Sequence, residues 1–150
     1  MFESLHPSHV YHILYKIEQI KVFNLDTSDP KRKIVIIGGK NGAGKTTLFV
    51  AIELALYGHY CFGYKNSTKQ YSNKIMTLIN DQAKLREDGK AYIAIEFSEC
   101  TNGDLDQYRI IRSWSWKKGE LKEDFQVAKN GILLVNQNLV DFQTFLLCCP

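Results

Sequence analysis

The stretch from Gly38 to Thr47 reads GGKNGAGKTT, and within it Gly39 to Thr46 fit the spacing G-x-x-x-x-G-K-T. No other feature limits the fold as much. A loop that wraps a phosphate chain needs backbone N–H groups pointing inward at close range. Gly39, Gly42 and Gly44 permit that, because no Cβ intrudes and positive φ carries no penalty. Such a loop is expected to end at a helix N-terminus, where unpaired N–H groups and the helix dipole favour an anion. In that frame Lys45 would reach the β- and γ-phosphates and the Thr46 hydroxyl would ligate Mg²⁺. Thr47 would bond near the α-phosphate, and Asn41 and Ala43 would shape the loop and offer their N–H groups.

The flanking residues supply the context such a loop needs. The run IVIIG, Ile34 to Gly38, is β-branched and apolar on both faces, which predicts a strand buried in the middle of a sheet. After the loop, KTTLFVAIELALYG places Leu48, Ala51, Ile52, Ala55 and Leu56 at helical spacing, with Gly58 as the stop. Residues 59–67 read as a loop. STKQYSNKIMTLINDQ predicts a second amphipathic helix with Tyr71, Ile75, Leu78 and Ile79 on one face and Ser67 as N-cap. Ahead of the loop, residues 1–12 read as an irregular lead-in, YKIEQIKVFNL as one or two short strands, and DTSDPKRK as a polar turn.

The second half changes period. AYIAIEFS (91–98) alternates, TNGD (101–104) is turn chemistry, and QYRIIRSWSWKK (107–118) alternates again. That alternation puts Tyr108, Ile110, Arg112, Trp114 and Trp116 on one face. LKEDFQVAK places Leu121, Phe125 and Val127 together. Asn130-Gly131 is a strong hairpin signal, because both residues accept positive φ. ILLV returns as a strand and NLVDFQTFLLCC closes as a helix. The expected fold class is α/β: a partial P-loop NTPase core with an antiparallel β-meander.

Binding a nucleotide and hydrolysing it need different groups. Hydrolysis calls for an acidic residue that helps hold Mg²⁺ and a group that orients the attacking water. AIEFSEC offers Glu96 and Glu99, but on an alternating, half-exposed strand, so neither is assigned a catalytic role.

IVIIGGKNGAGKTTLFVAIELALYG resembles the nucleotide-binding head of SMC-like, ABC-type ATPases, whose loop reads G-x-N-G-x-G-K-[ST]. The ordered series that follows is similar, more narrowly, to the DNA sulfur modification family DndD. It comprises LALYG with FGY, KIMTLINDQAK, AYIAIEF, YRIIRSW, KNGILL and DFQTFLL. The resemblance runs over roughly residues 22 to 150. It implies that residues 1–150 form the N-terminal part of an ATPase head, with a coiled coil and a C-terminal half expected outside the chain. That half would carry the signature motif, the Mg²⁺ aspartate and the catalytic glutamate. It also implies ATP and Mg²⁺ as cofactors, and DNA and other DNA sulfur modification proteins as partners. Heads would dimerise around two ATP molecules, in DNA phosphorothioation. Two alternatives are an SMC-like repair or anti-phage ATPase and a non-catalytic remnant.

Other features take plainer readings. The net charge of +3 permits an acidic partner without arguing for one. No apolar run reaches the ~18–20 residues of a membrane span, and the N-terminus lacks the pattern of a secretory signal. The expected location is therefore cytoplasmic, with no membrane partner. Cys61, Cys100, Cys148 and Cys149 form no C-x-x-C, and His6, His9 and His12 lack metal-site partners at a fitting spacing. Arg109, Arg112, Trp114 and Trp116 interleave cations with aromatics as a single-strand nucleic-acid platform does. They equally describe a strand with one packed face, the favoured reading, since Arg112 shares the face of the tryptophans and Arg109 does not. Lys31, Arg32 and Lys33 read as a solvated turn, and Lys65, Lys69 and Lys74 as cations that could face DNA.

Overall fold

The computed structural model describes residues 15–16, 20–21, 23, 25, 34–79, 84–85, 88–101, 103–117 and 120–148. The lead-in 1–12, the turn 26–33 with Lys31, Arg32 and Lys33, and Cys149 lie outside them. Strands β1 (Tyr15–Lys16) and β2 (Ile20–Lys21) pair antiparallel, matching the short strands expected there.

The segment Ile34–Lys40 is not a strand, which corrects the expectation of a buried central strand at Ile34 to Gly38. Ile34 and Ile36 are 81% and 88% exposed, while Ile37 packs against the core. β-branched residues favour extended backbone, but a strand also requires a neighbour to share its ladder. Among the described residues none pairs with this segment.

The loop turns at Asn41–Gly44 and enters helix α1 (Lys45–Tyr57). Leu48, Ala51, Leu54 and Ala55 form its buried face, and its other positions are also largely apolar. Gly58 ends it with φ 57 and ψ −127, a conformation that glycine alone adopts freely. A 3-10 turn follows at Gly58–Phe62, where the sequence suggested only loop. Helix α2 (Lys69–Leu78) is capped by Thr68 rather than Ser67. The Thr68 side chain accepts the Tyr71 N–H at 3.5 Å. Tyr71, Ile75 and Ile79 are buried, whereas Leu78 sits at the margin of that face.

Strands β3 (Asp88–Thr101), β4 (Asp104–Lys117), β5 (Glu120–Lys129) and β6 (Ile132–Leu133) form an antiparallel meander in sequence order. Its last hairpin turns on Asn130 and Gly131, with φ 51 and 79, as their residue types predicted. One face of the sheet carries the core, in cross-strand rows set by the register: Ile95–Ile110–Val127, Ile93–Arg112–Phe125, Ala91–Trp114–Glu123 and Gly89–Trp116–Leu121. The smallest residues of β3 thus stand opposite the largest of β4. A Cβ on Gly89 would lie 1.8 Å from Cε2 and Cζ2 of Trp116, so the indole lies directly on the glycine backbone. Helices α1 and α2 pack on this face, and their buried residues join Ile93, Ile95, Trp114 and Trp116 in one core. Helix α3 (Gln137–Cys148) adds Phe142, stacked on Tyr108, which stacks in turn on Phe97.

Candidate functional site

The residues singled out from the sequence, Gly39, Asn41, Gly42, Ala43, Gly44, Lys45, Thr46 and Thr47, form one turn leading into the first residues of α1. Gly42 and Gly44 take φ 82 and 86, a region that β-carbon-bearing residues enter only with strain. A Cβ at either would meet nothing within 4 Å, so the loop is open beside them. At Gly39 a Cβ would come within 3.2 Å of the Ala43 Cβ, where the loop folds back on itself. The Ala43 N–H donates to the Lys40 carbonyl at 3.1 Å and closes that turn.

Gly44 caps α1 without any side-chain hydrogen bond, and the first turn holds no acidic residue. The intrahelical ladder begins with the Leu48 N–H donating to Gly44 O at 3.0 Å. The N–H groups of Lys45, Thr46 and Thr47 therefore precede the ladder, at the positive end of the helix dipole. The Lys45 ammonium curls back over the loop and donates to the carbonyls of Gly39 at 2.7 Å and Lys40 at 2.9 Å. A cation, free helix-end N–H groups and an open glycine backbone converge with no carboxylate in the turn. That donor set fits an oxyanion such as a phosphate chain. The Thr46 side chain is exposed at the start of α1, with its hydroxyl open to solvent. Among the described residues no three His, Cys, Asp or Glu side chains gather as a metal site.

Glu96 is engaged elsewhere. It pairs with Arg109 at 3.2 Å on the outer face of the sheet, with both side chains about half exposed. Such a pair contributes little stability. The arrangement also decides between the two readings of the basic and aromatic strand. Trp114 and Trp116 are buried beneath the helices, and Arg109 points to the opposite face, so these residues form no platform for bases.

Arg112 does more than its place on the packed face of the alternating strand suggests. It is only 8% exposed. Its Nε donates to the Ala55 carbonyl at 3.1 Å and its Nη2 to the Leu56 carbonyl at 3.5 Å, both in the last turn of α1. Its Nη1 donates to Glu123 Oε1 at 2.9 Å, and the guanidinium lies 4.1 Å from the centre of the Phe125 ring. The same Glu123 oxygen accepts the Tyr71 hydroxyl at 2.8 Å. Burial, and then the Glu123 carboxylate, hold the Tyr71 hydroxyl well above the usual phenol range, so it stays a donor. One available signal was an arginine at an inward position of an alternating strand, between Ile110 and Trp114. A buried guanidinium must find acceptors.

Cys61 is chemically quiet. Burial first, and then Glu53, whose Oε2 lies 3.9 Å from Sγ, push its thiol up to about 11. A thiol in that state is a poor nucleophile at neutral pH. Beneath the first turns of α1 lies an apolar cavity of about 160 Å³, lined by Thr46, Thr47, Val50, Ile79, Ile93 and Trp114 among others. No helix among the described residues is long and apolar enough to cross a membrane.

A family model described as an AAA domain matches residues 16–144, which is most of the chain. No curated protein matches it.

Proposed function

Because the chain belongs to the AAA-domain family, an ATPase-type family whose members generally bind ATP with Mg²⁺, we propose that residues 39–47 are its nucleotide site. The observation that carries this reading is the uncapped N-terminus of α1, wrapped by an open glycine loop and crossed by the Lys45 ammonium. On binding, Lys45 leaves the Gly39 and Lys40 carbonyls for the phosphate oxygens. The N–H groups of Gly42, Gly44, Lys45, Thr46 and Thr47 would line the phosphate chain, while that of Ala43 stays on the Lys40 carbonyl, and the Thr46 hydroxyl would hold the metal. The chemistry that Mg²⁺ would supply there is neutralisation of the phosphate charge.

Our finer reading is that this is the N-terminal piece of an SMC-like ATPase head acting with DNA and with other DNA sulfur modification proteins. The series from LALYG to DFQTFLL, which resembles DndD, supports it. The resemblance also implies that turnover depends on carboxylates from a C-terminal half, and that two heads pair around ATP. A repair or anti-phage ATPase of the same type would use the same loop with other partners.

Calorimetry with Mg-ATP and Mg-ADP tests the site, comparing the chain with Lys45→Ala and assaying turnover in the same samples. Binding is expected, weakened at least about tenfold in the variant, since a charge-assisted phosphate contact is worth about 1.5–3 kcal/mol. Equal binding by both proteins refutes the assignment. Turnover by the chain alone refutes the dependence on a second half.

A further inference from the structure

Helix α1 has its proposed phosphate end at Lys45 and its other end at Tyr57, about 20 Å away at the usual rise per residue. Its grip on the rest of the molecule differs along that length. Thr46, Thr47, Val50, Ala51 and Leu54 line the 160 Å³ apolar cavity, so packing beneath the helix leaves room for it to rock from its first turn as far as Leu54. Near the other end, Leu54 and Ala55 are buried and the Arg112 guanidinium binds the carbonyls of Ala55 and Leu56. Apolar contacts are non-directional and tolerate sliding and rolling. The hydrogen bonds from Arg112 are directional, and among the described residues they are the side-chain bonds that tie the sheet to the backbone of this helix.

The surroundings hold the guanidinium in one place. Glu123 takes its Nη1, the Phe125 ring lies over it, and Tyr71 donates to the Glu123 oxygen, so β4, β5 and α2 all meet at the clamp. The backbone of α1 leaves at Gly58 directly beside it, where a Cβ would sit 2.7 Å from Nη1. A cation at the negative end of the helix dipole adds an attraction that any side chain lacking charge would lose.

We propose that Arg112 is a positioning residue for the nucleotide site: its clamp on the C-terminal carbonyls of α1 fixes the axis and rotation of the helix whose opposite end presents Lys45, Thr46 and Thr47 to phosphate. This rests on the reading of residues 39–47 as the nucleotide site. Tyr71 and Glu123 hold the clamp in register. Misplacing a binding group by an ångström is costly where its hydrogen bonds are aimed. A helix freed at its pinned end tilts into the cavity beneath it.

The test measures affinity for Mg-ATP and for Mg-tripolyphosphate, which meets the phosphate loop alone. Wild type, Lys45→Ala, Arg112→Met and Arg112→Lys are compared at a low temperature where circular dichroism shows each variant folded. Partial unfolding then cannot mimic weak binding. Arg112→Met is expected to weaken both probes by the same factor, about fivefold to tenfold, with Arg112→Lys intermediate because it keeps the charge and loses the fork. A folded Arg112→Met that binds within twofold of wild type overturns the proposal, as does weakening of Mg-ATP with tripolyphosphate unchanged. Should Arg112→Met fail to fold, Arg112→Lys decides by the same criteria. If wild type binds, Lys45→Ala does not, and the Arg112 variants bind normally, this inference alone falls. If wild type does not bind either probe, the nucleotide site itself falls and takes this inference with it.

Discussion

Replacing Gly89 by alanine adds one methyl group at the point where the Trp116 indole lies on the strand. Its carbon would sit 1.8 Å from Cε2 and Cζ2 and 2.4 Å from Nε1, far inside van der Waals contact. Trp116 is itself buried, so displacing the indole breaks core contacts. If it were expelled, loss of the burial of an indole, about 150–250 Å², would cost at most about 4–6 kcal/mol. If it stayed, off-rotamer strain and strand displacement would cost about 1–3 kcal/mol, the usual range for an overpacked core. Alanine returns up to about 1 kcal/mol by restricting the unfolded chain and fitting a strand better. The cheaper route dominates, and the expected net loss is about 2 kcal/mol, or roughly 5 °C in melting temperature for a chain of this size. Urea unfolding followed by far-ultraviolet circular dichroism measures it. In the double variant Gly89→Ala with Trp116→Leu, the smaller side chain leaves space for the methyl group. The cycle should then show a coupling of about 1–2 kcal/mol in favour of the pair. A neutral or stabilising Gly89→Ala, the ordinary result for glycine in a strand, would refute the stacked geometry.

Further outcomes follow from the last hairpin and from the thiol. Asn130 combines φ 51 with an Oδ1 that accepts the Gln107 N–H at 2.8 Å and an Nδ2 that donates to Asp106 Oδ1 at 2.9 Å. Asn130→Ala should lose about 1–2 kcal/mol in urea unfolding, and Asn130→Gly, which keeps the backbone, distinctly less. Equal losses would show that the turn strain is negligible. In a variant whose sole cysteine is Cys61, alkylation should rise until about pH 11, because the folded state holds the proton. The folded value lies above the ordinary thiol value of 9.0, so the contribution to stability is complete below that value and fades as pH rises towards 11. A rate that levels off by pH 9 would contradict this environment.

Much of this molecule is written in residues that are neighbours along the chain. The glycine loop, the stop of α1 at Gly58 and the Asn130-Gly131 turn depend on local φ, which residue type controls directly. The inward face of β4, from Tyr108 to Trp116, follows from the pleat, whose period of two needs no partner to be read. The cap of α2 came within one residue, since adjacent Ser67 and Thr68 carry equivalent hydroxyls and backbone geometry chose between them. What the tertiary structure decided involves groups far apart in sequence. Ile34–Ile37 has strand composition but no ladder among the described residues, because pairing belongs to two segments and composition to one. Arg112 sits on the packed face, as the favoured reading had it, but what it holds there, the carbonyls of Ala55 and Leu56, lies more than fifty residues back along the chain. A buried cation goes where acceptors are left over. The last carbonyls of a helix are such acceptors only once folding has brought that helix end against the strand.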